Sequence, residues 1–245
     1  MAAAIFWSAL ATVTLLVGMV LAYRNVVSLK WTGLVMGFGA GAIISAVSYQ
    51  LLLPAIQDAS SGLVVGLGFA VGALVYYVAD KWVDGLGGKD RLDFQGAQAG
   101  GSGLGILLGS LLDGVPESLV LGLSLAHSSS VSAAFVFAVA ISNVPQGLGG
   151  TAGMLAAGWP RARITRLWVA VCVLSVVAAA LGFLLAQALP NATGATVDAF
   201  AAGALLVMLT DSMIPQSFQE GGEETGLALV LGFGTAVAVA LLQVA

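Results

Sequence analysis

Residues 111–123 read LLDGVPESLVLGL, an apolar run that carries Asp113 and Glu117 on either side of Pro116. A helix sets residues four apart on one face, so both carboxylates point the same way. Proline inside a helix removes one backbone hydrogen bond and strands a carbonyl, here near residue 112. In lipid such a break is tolerated only where protein or water satisfies the freed groups. Charge inside a span is costly, and an ionisable residue there is a functional hypothesis by default. The stretch therefore predicts a kinked transmembrane helix offering two hard oxygen ligands to a cavity.

The rest of the chain supports a membrane setting. Of 245 residues, 59% are hydrophobic and 8% charged, against roughly 45–50% and about 25% in soluble domains. A water-soluble surface is excluded. Eight Lys plus Arg against twelve Asp plus Glu give a net charge of -4, with no basic patch dense enough for nucleic acid. Cys172, the single cysteine, can form neither an internal disulfide nor a cysteine cluster, and reads as core packing. The 33 glycines suggest close helix packing. Charge-free stretches fall at 1–23, 31–57, 59–79, 128–160, 167–197 and 225–245, and apolar spans with acids at 99–126 and 199–217. Each suits a crossing of the roughly 30 Å hydrocarbon core. The expectation is an all-α integral membrane protein of eight helices, a single transporter-like domain over 1–245. Met1 to Ser8 lacks Lys and Arg, so the first helix reads as retained rather than as a signal peptide.

Every basic residue falls in an odd-numbered loop: Arg24 and Lys30 in the first, Lys81, Lys89 and Arg91 in the third, Arg161, Arg163 and Arg166 in the fifth. The positive-inside rule puts those loops in the cytoplasm and both termini outside, in a cell membrane. The 80–98 loop is the longest, and its mixed charges and glycines read as a solvated linker. The acidic seventh loop, with Glu220, Glu223 and Glu224, reads as a solvated turn that can also collect cations.

A second segment repeats the device. ISNVPQGLGG, residues 141–150, aligns with LDGVPESLVL so that Pro145 matches Pro116 and Gln146 falls where Glu117 stands. Its polar groups, Ser142, Asn143 and Gln146, are neutral. Either proline alone reads equally well as a packing kink, but two such helices with a carboxylate pair make a dehydrated cation site the better reading. Weaker is the echo between GAGAIISAVSYQLLLP at 39–54, with Asp58 beyond it, and AAGALLVMLTDSMIP at 201–215. In the second of these Asp211, between Thr210 and Ser212, either lines the ion's route or caps a helix break. His127, the lone histidine, reads as a solvated loop residue, and Asn191-Ala192-Thr193 fits a glycosylation acceptor.

On these segments the chain resembles the ZIP (Zrt-, Irt-like protein) family of divalent metal transporters. The fourth helix of that family typically reads His-Asn-x-Pro-Glu-Gly, and the fifth a polar residue, Asn or Asp, then x-Pro-Glu-Gly. Pro116 and Glu117 match outright, while Asp113, Gly114 and Ser118 stand for histidine, asparagine and glycine. Asn143, Pro145 and Gly147 match in the fifth, Ser142 takes the polar position, and Gln146 replaces the bridging glutamate. The resemblance implies a ZIP-like 3+2+3 arrangement with an inverted repeat. It also implies alternating access, with the site-bearing helices sliding against a scaffold of helices two, three, seven and eight, often as a homodimer.

Loss of the histidine and of one glutamate tilts the expected site toward a mononuclear one preferring Mn²⁺, Fe²⁺ or Mg²⁺ over Zn²⁺. The expected ligands are Asp113, Glu117, Ser142, Asn143, Gln146 and Asp211, with the metal as cargo and no resident cofactor. The alternative is a transport-inactive membrane sensor or structural protein. An intramembrane enzyme is excluded, because Gly101-Ser102-Gly103 has no intramembrane histidine partner and no H-E-x-x-H is present.

Overall fold

The computed structural model describes residues 1–89, 91–92, 103–127, 133–188 and 191–244. Among them are eight helices long and apolar enough to cross a membrane, and no strand. Helix α1 spans Ala2–Arg24, α2 Leu29–Asp58, α3 Gly62–Gly88, α4 Gly103–His127, α5 Ala133–Ala156 and α6 Arg161–Ala188. Helix α7 runs as Asn191–Met208, a π-helical Leu209–Met213 and Ile214–Gly221, and α8 is Thr225–Val244. The turn after α1 forms because Asn25 adopts a left-handed φ of 51° and donates to the Ala22 carbonyl, after which the Ser28 hydroxyl caps α2 by accepting from Trp31 N–H at 3.4 Å. The outward faces are apolar, with Leu63, Leu227 and Leu242 exposed where lipid would lie.

Two boundaries differ from the sequence expectation. The sixth span ends at Ala188 rather than near 197, and Asp198 lies inside α7. Freedom from charge overstated the span, whereas Pro190 was the stop signal. Helix α3 extends to Gly88 with a kink at Gly87, whose φ of 91° is left-handed, and Arg91 and Leu92 beyond it are buried. Asp80 and Arg91 are therefore not part of a solvated linker but pair inside the protein, whereas Lys81 and Lys89 are exposed and residue 90 lies outside the described residues. Residues 93–98 lie outside the described residues.

The packing rests on four parallel helix pairs: α1 with α5, α4 with α6, α2 with α8 and α3 with α7. A glycine from each partner closes every pair. A Cβ at Gly18 would overlap the Val144 carbonyl oxygen, and one at Gly147 the Leu15 carbonyl oxygen. The same reciprocity joins Gly122 to Ala179 and Gly182 to Leu119, Gly41 to Leu229 and Gly232 to Phe38, and Gly72 to Phe200 and Gly203 to Phe69. In all eight contacts the glycine meets the carbonyl three residues before its partner glycine. Such backbone-on-backbone approach needs a residue without Cβ and permits weak Cα–H···O bonds.

Two groups result. Helices α1, α4, α5 and α6 pack mainly among themselves, as do α2, α3, α7 and α8, and the junction centres on α2 against α5, where Gly39 lies over Ser142. The pairing is unchanged when α1, α2, α3 and α4 are exchanged with α6, α7, α8 and α5. Helices α2 and α7 also share a detail: a five-residue π segment, Ser48–Leu52 or Leu209–Met213, directly precedes Leu53-Pro54 or Ile214-Pro215. The weak echo in sequence is thus repeated in backbone.

Alanine at Gly41 or Gly122 should destabilise the protein by about 1–3 kcal/mol, as overpacking of a tight contact does. Alanine at Gly66, where a Cβ meets nothing within 4 Å, should cost nothing. Denaturant unfolding in detergent micelles compares the three, and equal stabilities would remove the glycine contacts as the basis of the fold.

Candidate cation site on α4 and α5

Both proline-bearing segments are helical throughout, with Pro116 inside α4 and Pro145 inside α5. Neither helix is unwound, so backbone carbonyls are not laid bare as in a broken helix, and side chains supply the site. Asp113 and Glu117 are both 1% exposed. One turn apart on α4, they have different surroundings.

Asp113 is fully engaged. Arg91 donates to it through Nε at 2.8 Å and Nη2 at 3.1 Å, a two-pronged grip, and the Tyr76 hydroxyl of α3 adds a third bond at 2.9 Å. The same guanidinium reaches Asp80 of α3 through Nη2 at 2.9 Å and the Gly88 carbonyl through Nη1 at 3.3 Å. Arg91 is 3% exposed, and a buried charge is tolerable only when paired and hydrogen-bonded in this way. The helices make room for it. A Cβ at Gly109 would overlap the Arg91 Cδ, and one at Gly150 would come within 3.0 Å of the Arg91 carbonyl oxygen.

Glu117 has none of this. Both of its carboxylate oxygens are buried and without a hydrogen bond. Ser142 of α5 stands beside it, but the single hydroxyl proton goes to the Val139 carbonyl at 2.9 Å. Asn143 donates from Nδ2 to the Ala11 carbonyl of α1 at 3.1 Å, which leaves its buried Oδ1 unpartnered as well. Gln146 points its Nε2 at the thioether sulfur of Met213, 3.5 Å away on the π segment of α7. The polar face of α5 thus touches α1, α4 and α7, with two residues, Glu117 and Asn143, keeping acceptor oxygens open. Open acceptor oxygens are what a desolvated cation requires.

Asp211 lies elsewhere. It lines a cleft of about 200 Å³ with Asp80, Asp84, Lys81, Lys89 and Arg91, its carboxylate 3.9 Å from the Lys81 ammonium. Three acids there face three bases, so the cleft is not a cation trap by charge. Glu224 in the α7–α8 turn is paired with Lys30 at 2.6 Å, and this partner holds its carboxyl below the usual range. Cys172 donates to the Thr12 carbonyl at 3.3 Å, as a packing residue would. The side chains of His127 and Asn191 lie outside those described.

Among the described residues no three His, Cys, Asp or Glu side chains come together as a metal cluster. Sequence reasoning missed Arg91, Asp80 and Tyr76, because Arg91 sits in a stretch that reads as loop. The only hint was an arginine followed directly by an apolar Leu92. In comparisons with known proteins, the chain matches no family model and no curated sequence.

The two acids should respond oppositely to mutation. Asp113→Ala removes the two-pronged partner of Arg91, leaving it Asp80, and should cost up to about 3–5 kcal/mol, the usual penalty for breaking a buried pair. Glu117→Met relieves two unpartnered oxygens and should stabilise the ion-free protein by about 1–3 kcal/mol. Unfolding in detergent with a chelator present reads both, and a loss of stability in Glu117→Met would show that the carboxylate is held after all.

Proposed function

We propose that the protein is a ZIP-like secondary transporter that carries divalent cations into the cytoplasm through a site centred on Glu117. The observation that supports this reading best is that carboxylate: both oxygens are enclosed in the bundle and unpartnered, so the fold gains nothing from it. Ser142, Asn143 and Gln146 supply neutral oxygens from α5, and Asp113 joins them only when Arg91 withdraws. Asp211, on the cleft, belongs to the route rather than to the site.

One carboxylate with neutral oxygens makes a hard, weak, mononuclear site, suited to Mn²⁺, Fe²⁺ or Mg²⁺ more than to Zn²⁺. Weak binding serves transport, which needs an ion held loosely enough to leave. The division of the helices into two groups, and the exchange symmetry of their pairing, support the 3+2+3 arrangement with an inverted repeat. In this reading α1, α4, α5 and α6 carry the ion past α2, α3, α7 and α8. One observation favours the alternative, a transport-inactive sensor or structural protein: Arg91 already neutralises Asp113.

Uptake of Mn²⁺ and Zn²⁺ into proteoliposomes decides between the two. Wild type should accumulate ion and Glu117→Ala should not, whereas equal background in both supports the inactive reading. Gln146→Glu adds charge where the amide only coordinates, and should tighten divalent binding in calorimetry while slowing release. Cysteines at Ser60 and Glu223, placed in a Cys172→Ala background, test direction: an impermeant thiol reagent should label the first in intact cells and not the second.

A further inference from the structure

We propose that Arg91 is a latch that fastens the two helix groups to each other at the end of the bundle bearing the basic residues. The guanidinium is seated in the first group, with its Cδ over Gly109 of α4 and its backbone carbonyl beside Gly150 of α5. Its two-pronged bond to Asp113 of α4 stays within that group. Nη2 also reaches Asp80 of α3 at 2.9 Å, and Tyr76 of α3 closes the circuit by donating to Asp113 at 2.9 Å. Two polar bonds therefore join α3 to the α4 side, one from Asp80 through the buried cation and one from Tyr76 directly to Asp113.

The rest of the junction differs in kind. Where α2 meets α5, Gly39 lies against the Ser142 backbone and Cβ, and the Gln146 bond to Met213 is a long 3.5 Å contact to sulfur. These contacts carry no charge, so they lack the directional, charge-assisted bonding of the Arg91 cluster. A guanidinium fork has one geometry that satisfies it, and at 3% exposure the loss of a partner is costly. The Asp80–Arg91–Asp113–Tyr76 cluster thus holds the groups in a single relative position, and moving one against the other requires breaking it. The latch does not depend on which ion is carried, or on whether one is.

The test leaves the Arg91–Asp113 pair intact. Asp80→Ala with Tyr76→Phe removes the two shortest bonds to α3 while Arg91 keeps Asp113; the 3.3 Å bond to the Gly88 carbonyl and the 3.6 Å approach to Asp84 remain. Spin labels at Ala162, on the first turn of α6, and at Glu223, between α7 and α8, span the groups in a Cys172→Ala background in lipid nanodiscs. Pulsed electron resonance should give one distance in the parent. The double variant should show a second distance, its share raised about tenfold or more, as loss of a charge-assisted bond implies. Gly109→Ala changes no charge but displaces the Arg91 stem, and should give the same second distance. It carries the test if the double variant does not fold. A parent-like distribution in folded variants would overturn the latch and leave Arg91 as a buried pair that fixes only its own segment.

Discussion

Backbone contact between glycines is the constraint on which the rest of the structure depends. In lipid the helix faces gain little from apolar burial against one another, because the solvent is as apolar as they are. What remains is close approach, and four reciprocal glycine–carbonyl pairs provide it. They set the depth at which each helix meets its partner. The depth of α4 against α6, through Gly122 and Gly182, brings Gly114 beside Ser175. Within the same framework Gly109 leaves the gap that the Arg91 stem fills. Polar chemistry is possible at mid-depth because backbone packing, not side-chain bulk, holds the helices.

Within that frame the two acids of α4 show how environment divides identical chemistry. Asp113 meets an arginine and a tyrosine and becomes structural, bridging elements that are otherwise joined by packing alone. Glu117, one turn further, faces Ser142, whose proton is already committed to its own helix. The protein around Glu117 offers no donor to make up the difference, so one carboxylate is satisfied and the other is left as an acceptor. Four residues of spacing therefore separate an ion pair from an unpartnered carboxylate.

Much of this was legible in the residues. Eight spans followed from hydropathy, the pairing of Pro116 with Pro145 pointed to α4 and α5, and the echo of 39–54 in 201–215 marked the helices that share a π segment before a proline. The α6–α7 boundary was misplaced because Asp198, an acid within a helix, looked like an edge. The different fates of Asp113 and Glu117 were not legible, since both stand on one face and only the position of Arg91 tells them apart. That position follows from tertiary packing. The glycine pairs were hidden for a related reason: partners such as Gly41 and Gly232 are joined by no local pattern, and glycines in contact look the same in sequence as those facing lipid.

The distance along the chain between those partners bears on how the protein is made. Gly18 contacts helix α5, Gly72 contacts α7, and Gly41 contacts α8, so none of the four pairs joins neighbouring helices. During synthesis the first four helices enter the bilayer with none of these contacts available. The second helix remains without its main partner until the eighth has emerged. Late, non-local closure leaves incomplete bundles exposed for much of synthesis. A truncation that removes only the eighth helix would therefore deprive the second, at the far end of the chain, of its main partner, and assembly would depend on insertion machinery able to hold early helices until late ones arrive.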